Sequence, residues 1–198
     1  MIRYIKDILD IKNILGAQPT PLPLRPANET VIHALANTTI TPYFTGTLTI
    51  KRVVNGTEST ITRNSSQSGI GWNFPSDRNT DVIITGNLQK IEIAQHHGGT
   101  DYQAIADTVE ELVINGAAGV IDLRNANAIQ AASISGALTK GTKVLYANAT
   151  TADAKSACIS IINGSNVAYS TLWIDRTQPY AQDVIAVAKA HGWRVYYL

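Results

Sequence analysis

Seven pairs of large apolar residues, each pair separated by one residue, recur along the last two-thirds of the chain. They are Val82/Ile84, Ile91/Ile93, Leu112/Ile114, Ile121/Leu123, Val144/Tyr146, Leu172/Ile174 and Val195/Tyr197. Apolar residues two positions apart are typical of a strand that buries one face. Helix-like stretches separate the later pairs, so we predict stacked strand–helix units that share one core.

Two of the intervals between pairs are shorter than the rest. Ile84 to Ile93 and Ile114 to Leu123 each span nine residues, which is too few for a helix that connects parallel strands. These steps are either turns between neighbouring strands or places where one member of the pair belongs to another sheet. An ordinary α/β sheet therefore stays an alternative to the stacked units.

Composition disfavours several classes of function. Only 16% of the 198 residues are charged and the net charge is +1, so the basic surface that binds nucleic acid is not expected. No segment has the length and apolar character needed to cross a bilayer. The single cysteine, Cys158, excludes an internal disulfide and a cysteine-based zinc site, and its apolar neighbours predict a buried thiol.

The N-terminal residues predict an attachment segment. Residues 1–15 match a short amphipathic helix that ends at Gly16. Its anchoring residues are Tyr4, Ile5, Ile8, Ile11 and Leu15. A helix of this length is marginal alone in water, so it either packs on its own domain or docks on a partner chain or on copies of itself. The alternating prolines of residues 17–27 predict a stiff, extended spacer, which favours docking on a partner.

Beyond this anchor and linker (1–27), the pattern predicts two further units. Residues 28–86 carry short β patterns, with Asn55-Gly56 as a hairpin turn and Trp72 and Phe74 as core residues of a small β-sandwich. Residues 87–198 form the strand–helix unit. Its predicted helices cover 101–111, 127–138, 151–163 and 179–192, and its final strand covers 193–198.

The strand segments of the last unit carry a pattern found in a known family. Leu112-Val-Ile114, Val144-Leu-Tyr146 and Leu172-Trp-Ile174 each place one variable residue between two large apolar ones, and Asn115 and Asn148 lie near the following turns. Here the chain resembles the leucine-rich repeat family, in particular the surface and phage-borne repeat proteins of gut Bacteroidetes. The resemblance covers residues 87–198, and it implies a binding or scaffolding surface with no catalytic residues to transfer.

The predicted fold class is therefore α+β. It consists of an N-terminal helix with a proline-rich tether, a small β-sandwich, and a short leucine-rich-repeat-like α/β solenoid.

Two groups of residues are candidates for ligand contact. His96 and His97, with Asp101 nearby, could ligate a metal or act in acid–base catalysis, but Gly98 and Gly99 favour an exposed loop. Trp173, with Tyr146, either forms an exposed aromatic strip for a sugar or protein or fills the core. We predict no catalytic residue, no metal ligand and no cofactor.

These expectations combine into one predicted function and one alternative. The first is a non-enzymatic structural or adhesive component of a phage virion, such as a capsid decoration or head fibre. Residues 1–27 would bind capsid or tail proteins, and the repeat unit would contact a bacterial surface glycan or protein, in a homo-oligomer without nucleic acid or membrane contact. The alternative is a small α/β hydrolase or carbohydrate-active enzyme that uses His96, His97 and Asp101.

Overall fold

The computed structural model describes residues 20–34, 38–64, 72–73, 80–95, 100–136, 141–167 and 169–198. In these ranges twelve strands form one continuous sheet, and two helices pack on it. The strands are β1 (Glu29–Ala34), β2 (Thr38–Val54), β3 (Thr57–Asn64), β4 (Trp72–Asn73), β5 (Thr80–Gln95), β6 (Thr100–Ala104), β7 (Glu111–Asn115), β8 (Ala117–Asp122), β9 (Ala131–Ser135), β10 (Gly141–Tyr146), β11 (Thr171–Ile174) and β12 (Arg194–Tyr197). The helices are α1 (Ala152–Gly164) and α2 (Ala181–Ala190).

The sheet has two rows of strands: the first contains β1, β6, β8, β10, β11 and β12, and the second contains β7 and β9. Two long antiparallel strands, β2 and β5, connect the rows. The first half of β5 pairs with β1, and its second half pairs with β7. Between the halves, register shifts in β2 and the glycine Gly86 allow the pair to bend. Gly86 has φ +129°, and a Cβ there would lie 2.5 Å from the Thr47 carbonyl oxygen. The two rows consequently share one hydrophobic core.

The first row continues as a ladder of parallel strands. It runs through β6, β8, β10, β11 and β12. The residues that occupy one inward-facing rung of this ladder are Tyr102, Ile121, Leu145, Leu172 and Val195. The second row consists of the end of β5, then β7 and β9, and α1 and α2 extend it. The chain thus alternates between the rows, and its return segments change from strands to helices.

The local signals for the hairpin and the two helices are confirmed. Asn55 and Gly56 have φ values of 51° and 77° and join β2 to β3. The Thr151 hydroxyl accepts a hydrogen bond of 3.1 Å from the Ala154 N–H and caps α1. Gly192, with φ +74°, follows α2. The expected burial of the Cys158 thiol is also confirmed.

The predicted fold class is wrong, because strands dominate the described residues and only two helices occur among them. The strands within residues 28–86 do not form a separate sandwich, since they belong to the same sheet as the later strands. The helices expected at 101–111 and 127–138 are absent from this part of the chain, which instead holds β6, β7 and β9. Tyr102, Ile105, Ala106 and Val109 are buried because a short strand leads into a corner that lies in the core. That geometry produces the spacing of a helix.

One further strand prediction is wrong, and several others are not tested by the described residues. The Val144/Tyr146 pair is out of phase, because Leu145 faces the core in register with Leu172. The predicted boundary after residue 86 falls inside β5, and the division into three units stays a prediction. The anchor helix at 1–15 and the side chains of Trp72 and Phe74 lie outside what the structure describes.

Candidate binding surface

A stack of four side chains crosses the outer face of the parallel ladder. Tyr146, Trp173 and Tyr196 occupy adjacent positions on β10, β11 and β12. The ring centroids of Tyr146 and Trp173 are 5.9 Å apart, and those of Trp173 and Tyr196 are 5.0 Å apart. The Arg124 guanidinium carbon lies 4.5 Å from the Tyr146 centroid. We call this set the aromatic stack; a cation–π contact closes it at one end.

A buried carboxylate fixes the cation of the aromatic stack. Asp122 is 3% exposed and directly follows Ile121 at the end of β8. Its Oδ2 lies 2.5 Å from Arg124 Nη2, and its Oδ1 accepts from Arg124 Nε at 3.0 Å. Two parallel hydrogen bonds of this kind compensate the buried charge and hold the guanidinium plane. Arg124 is therefore oriented over the Tyr146 ring.

Residues 20–27, which we call the strap, lie along the same end of the ladder. The Leu22 N–H donates to the Tyr146 hydroxyl at 2.9 Å. The Asn125 side-chain amide donates to the Arg25 carbonyl at 2.8 Å, and the Asp107 N–H donates to the Ala27 carbonyl at 2.8 Å. The strap remains exposed, with Leu24 61% accessible. It therefore crosses the ends of β6, β8 and β10 on the outside of the body.

Of the predicted contact residues, the structure describes Trp173 and Asp101. Trp173 is 4% exposed, and both of its ring faces are covered by tyrosines. Asp101 lies on β6, where its carboxylate packs on Gly119; a Cβ at Gly119 would lie 2.2 Å from Asp101 Oδ1. His96, His97 and the five anchoring residues Tyr4, Ile5, Ile8, Ile11 and Leu15 lie outside the described residues.

Two features bear on the chemistry of the described side chains. No three of the His, Cys, Asp and Glu residues in the described ranges lie close enough to hold a metal ion. Burial raises the pKa of the Cys158 thiol to about 12, and its Sγ donates to the Asn148 carbonyl at 3.2 Å. A thiol with such a pKa is a poor nucleophile at neutral pH. No helix in the described ranges is long and apolar enough to span a membrane.

A shallow groove of about 510 Å³ lies between β9 and α1. Its polar lining consists of Ser133, Ser156, Ser160 and Asn163, above Ile134 and Ile159. All of these polar groups are neutral hydrogen-bonding side chains. The groove therefore offers neutral hydrogen-bonding groups and carries no charged side chain among its lining residues.

No protein-family model, curated protein or solved structure matches the chain. The resemblance to leucine-rich repeat proteins gains no support from these comparisons. Sequence reasoning also missed Arg124 and the role of Asp122. The available signal was an Asp-x-Arg sequence that begins at the last residue of β8. Its aspartate, Asp122, pairs in register with Tyr146 on the neighbouring strand β10.

Proposed function

We propose that this protein is a non-enzymatic structural component of a phage virion, such as a capsid decoration or head fibre. The apolar segment at residues 1–15 binds a capsid or tail protein. The stacked body projects outward and offers its surface to a bacterial glycan or protein.

The observation that carries this proposal is the course of the strap. It is exposed along its length, and three prolines at positions 21, 23 and 26 keep it extended. Its hydrogen bonds tie it to the ends of three ladder strands or to the residues just beyond them. Such a segment transmits a fixed orientation from an attached anchor to the body, because it is stiff and bound at several points.

The surface chemistry agrees with a display role. In β3, for example, seven of eight residues are exposed, and five of these seven are threonine, serine or asparagine. The groove between β9 and α1 adds a neutral polar contact site. A surface with few charges associates with protein or glycan without strong electrostatic selectivity.

The test measures incorporation of the full chain into particles purified from the native source. A variant with Ile5, Ile8 and Ile11 changed to serine should be excluded, because it removes the apolar face. A matched control changes Lys6 and Asp10 to alanine and should incorporate normally. Equal incorporation of both variants, or absence of the native protein from the particles, would refute the proposal. Loss of ester or glycoside turnover in H96A, H97A and D101A variants would instead favour the hydrolase.

A further inference from the structure

The last strand of the ladder has an open edge. In the described ranges β12 pairs only with β11. The Arg194 N–H donates to the Ser170 carbonyl at 3.0 Å, and the Leu198 N–H donates to the Ile174 carbonyl at 3.2 Å. Peptide groups alternate in direction along a strand, so those of Val195 and Tyr197 point away from β11. These two residues therefore present donors and acceptors at the edge.

The side chains at this edge are apolar and aromatic except for Arg194 at its start, and the Arg176 guanidinium lies 5.7 Å from the Tyr197 ring centroid. Tyr197 is 39% exposed and Leu198 is 46% exposed. The aromatic stack also ends here, because Trp173 covers only one face of the Tyr196 ring. Among the described residues the edge thus combines backbone groups that have no strand partner with the end of a row of rings, a combination that favours strand addition.

We propose that β12 pairs antiparallel with β12 of a second copy, about a twofold axis at Tyr196. Val195 of each copy lies opposite Tyr197 of the other and exchanges both backbone hydrogen bonds with it. Tyr196 then faces Tyr196 of the second copy in a non-hydrogen-bonded pair, where cross-strand side chains are closest. The aromatic stack continues across the axis into the second copy.

This register is selected by the groups that are available. Centring the axis on Val195 would place Tyr197 opposite Trp193, whose N–H already donates to the Ala188 carbonyl at 2.9 Å. Centring it on Tyr196 uses both outward peptide groups of each copy and places Arg194 opposite Leu198, so no like charges face each other. The interface is narrow, so association is weak and depends on concentration. The inference does not depend on the proposed virion role.

The first experiment compares two substitutions at one position in the full-length chain. Tyr197→Pro removes an N–H that points away from β11 and has no partner among the described strands, whereas Tyr197→Ala removes the side chain and keeps the N–H. Sedimentation equilibrium should show a dimer dissociation constant at least about tenfold higher for the proline variant, because each dimer loses two hydrogen bonds. Equal dissociation constants, or a wild-type chain that stays monomeric, would overturn the proposal. So would association that persists unchanged in the proline variant through another surface.

A second experiment remains informative if the proline variant misfolds. Under mild oxidation Tyr196→Cys should form a disulfide with its own counterpart, because the two positions face each other across the axis. Arg194→Cys is the control, since its counterpart lies about 13 Å away in this register. The native thiol, Cys158, is buried. Equal cross-linking of the two variants, or none in either, would contradict the register.

Discussion

The four return segments of the parallel ladder are of two kinds. After β6 and β8 the chain returns through the strands β7 and β9, whereas after β10 and β11 it returns through α1 and α2. The ladder is continuous through both parts, because Ile121, Leu145 and Leu172 remain in register. The strand register of the first row is thus the same whether a strand or a helix forms the return segment. We call the two parts strand-closed and helix-closed.

The difference between the two kinds of segment determines where the sheet has edges. A strand needs a neighbour for its backbone groups, whereas a helix satisfies them internally. In the second row, β9 lies next to α1. Gly164 allows the end of α1 to approach β9 closely, because a Cβ at Gly164 would lie 3.1 Å from the Ile134 carbonyl oxygen. The helix covers that edge. In the part of the chain that the structure describes, no helix covers the other end of the first row, which stops at the β12 edge.

The largest expected effects come from one buried leucine in each part. Leu112 lies on the return strand β7, and Leu172 lies on the ladder strand β11 between the two helices, and both are fully buried. Replacement of either by alanine should cost about 2–5 kcal/mol of unfolding free energy in urea denaturation. Because one core includes both residues, each variant should still unfold in one transition. Two separate transitions would show that the strand-closed and helix-closed parts are independent.

The junction between the two parts depends on Gly141, at the start of β10. It has φ +117°, and a Cβ there would lie 2.6 Å from Ser165 Cα, just after α1. Gly141→Ala should therefore cost about 2–4 kcal/mol, from backbone strain plus the clash. Gly192→Ala is the matched control: its φ is +74° with open space around it, so only about 1 kcal/mol is expected. Equal losses of unfolding free energy in the two variants would contradict the importance of close packing at this junction.

Burial of Cys158 in α1 should make stability fall at high pH. Its folded pKa of about 12 exceeds the ordinary value of 9.0, so above pH 9 the unfolded chain releases a proton that the folded chain keeps. The loss should reach about 1.4 kcal/mol by pH 10. Urea titrations at pH 8 and pH 10 measure it, and a Cys158→Ala variant should show a smaller decrease. Buried Tyr102, whose pKa is also raised, adds to the decrease at still higher pH. An identical decrease in both proteins would contradict the burial.

The smallest expected effect concerns the strap. Tyr146→Phe removes the acceptor of the Leu22 N–H and leaves the ring of the aromatic stack in place. A hydrogen bond of this kind contributes about 1 kcal/mol. Amide exchange at Leu22 should accelerate by up to about tenfold, while exchange at core residues such as Leu172 stays unchanged. No acceleration would mean that the strap is held without this contact.

The sequence predicts the helix-closed part better than the strand-closed part. Thr151 and Gly192 mark helix boundaries by local chemistry, so α1 and α2 could be recognised without tertiary information. β9 carries only alanine, serine and one isoleucine, and its strand character depends on pairing with β7. Local propensity could not supply that pairing.

The candidate site shows the same limit. Period-two spacing correctly places Leu172 and Ile174 in the core, but the three consecutive apolar residues of β10 allow two phases. Both faces of β10 are covered, so alternation could not decide between Leu145 and Tyr146. The aromatic stack depends on this phase, because Tyr146 joins Trp173 only when it faces outward. The sequence therefore shows which aromatic residues are present but does not show that they stack.

The ladder itself can be tested through its hydrogen bonds. The residue that follows a ladder strand donates its N–H to a carbonyl of the next ladder strand. The Leu123 N–H donates to the Tyr146 carbonyl at 2.9 Å, and the Ala147 N–H donates to the Trp173 carbonyl at 2.9 Å. A long-range HNCO experiment detects scalar coupling across such bonds in the isotope-labelled chain. We expect a cross-peak from the Leu123 amide to the Tyr146 carbonyl and one from the Ala147 amide to the Trp173 carbonyl, which cover both kinds of return segment. Cross-peaks from these amides to any other carbonyls would contradict the stacked ladder.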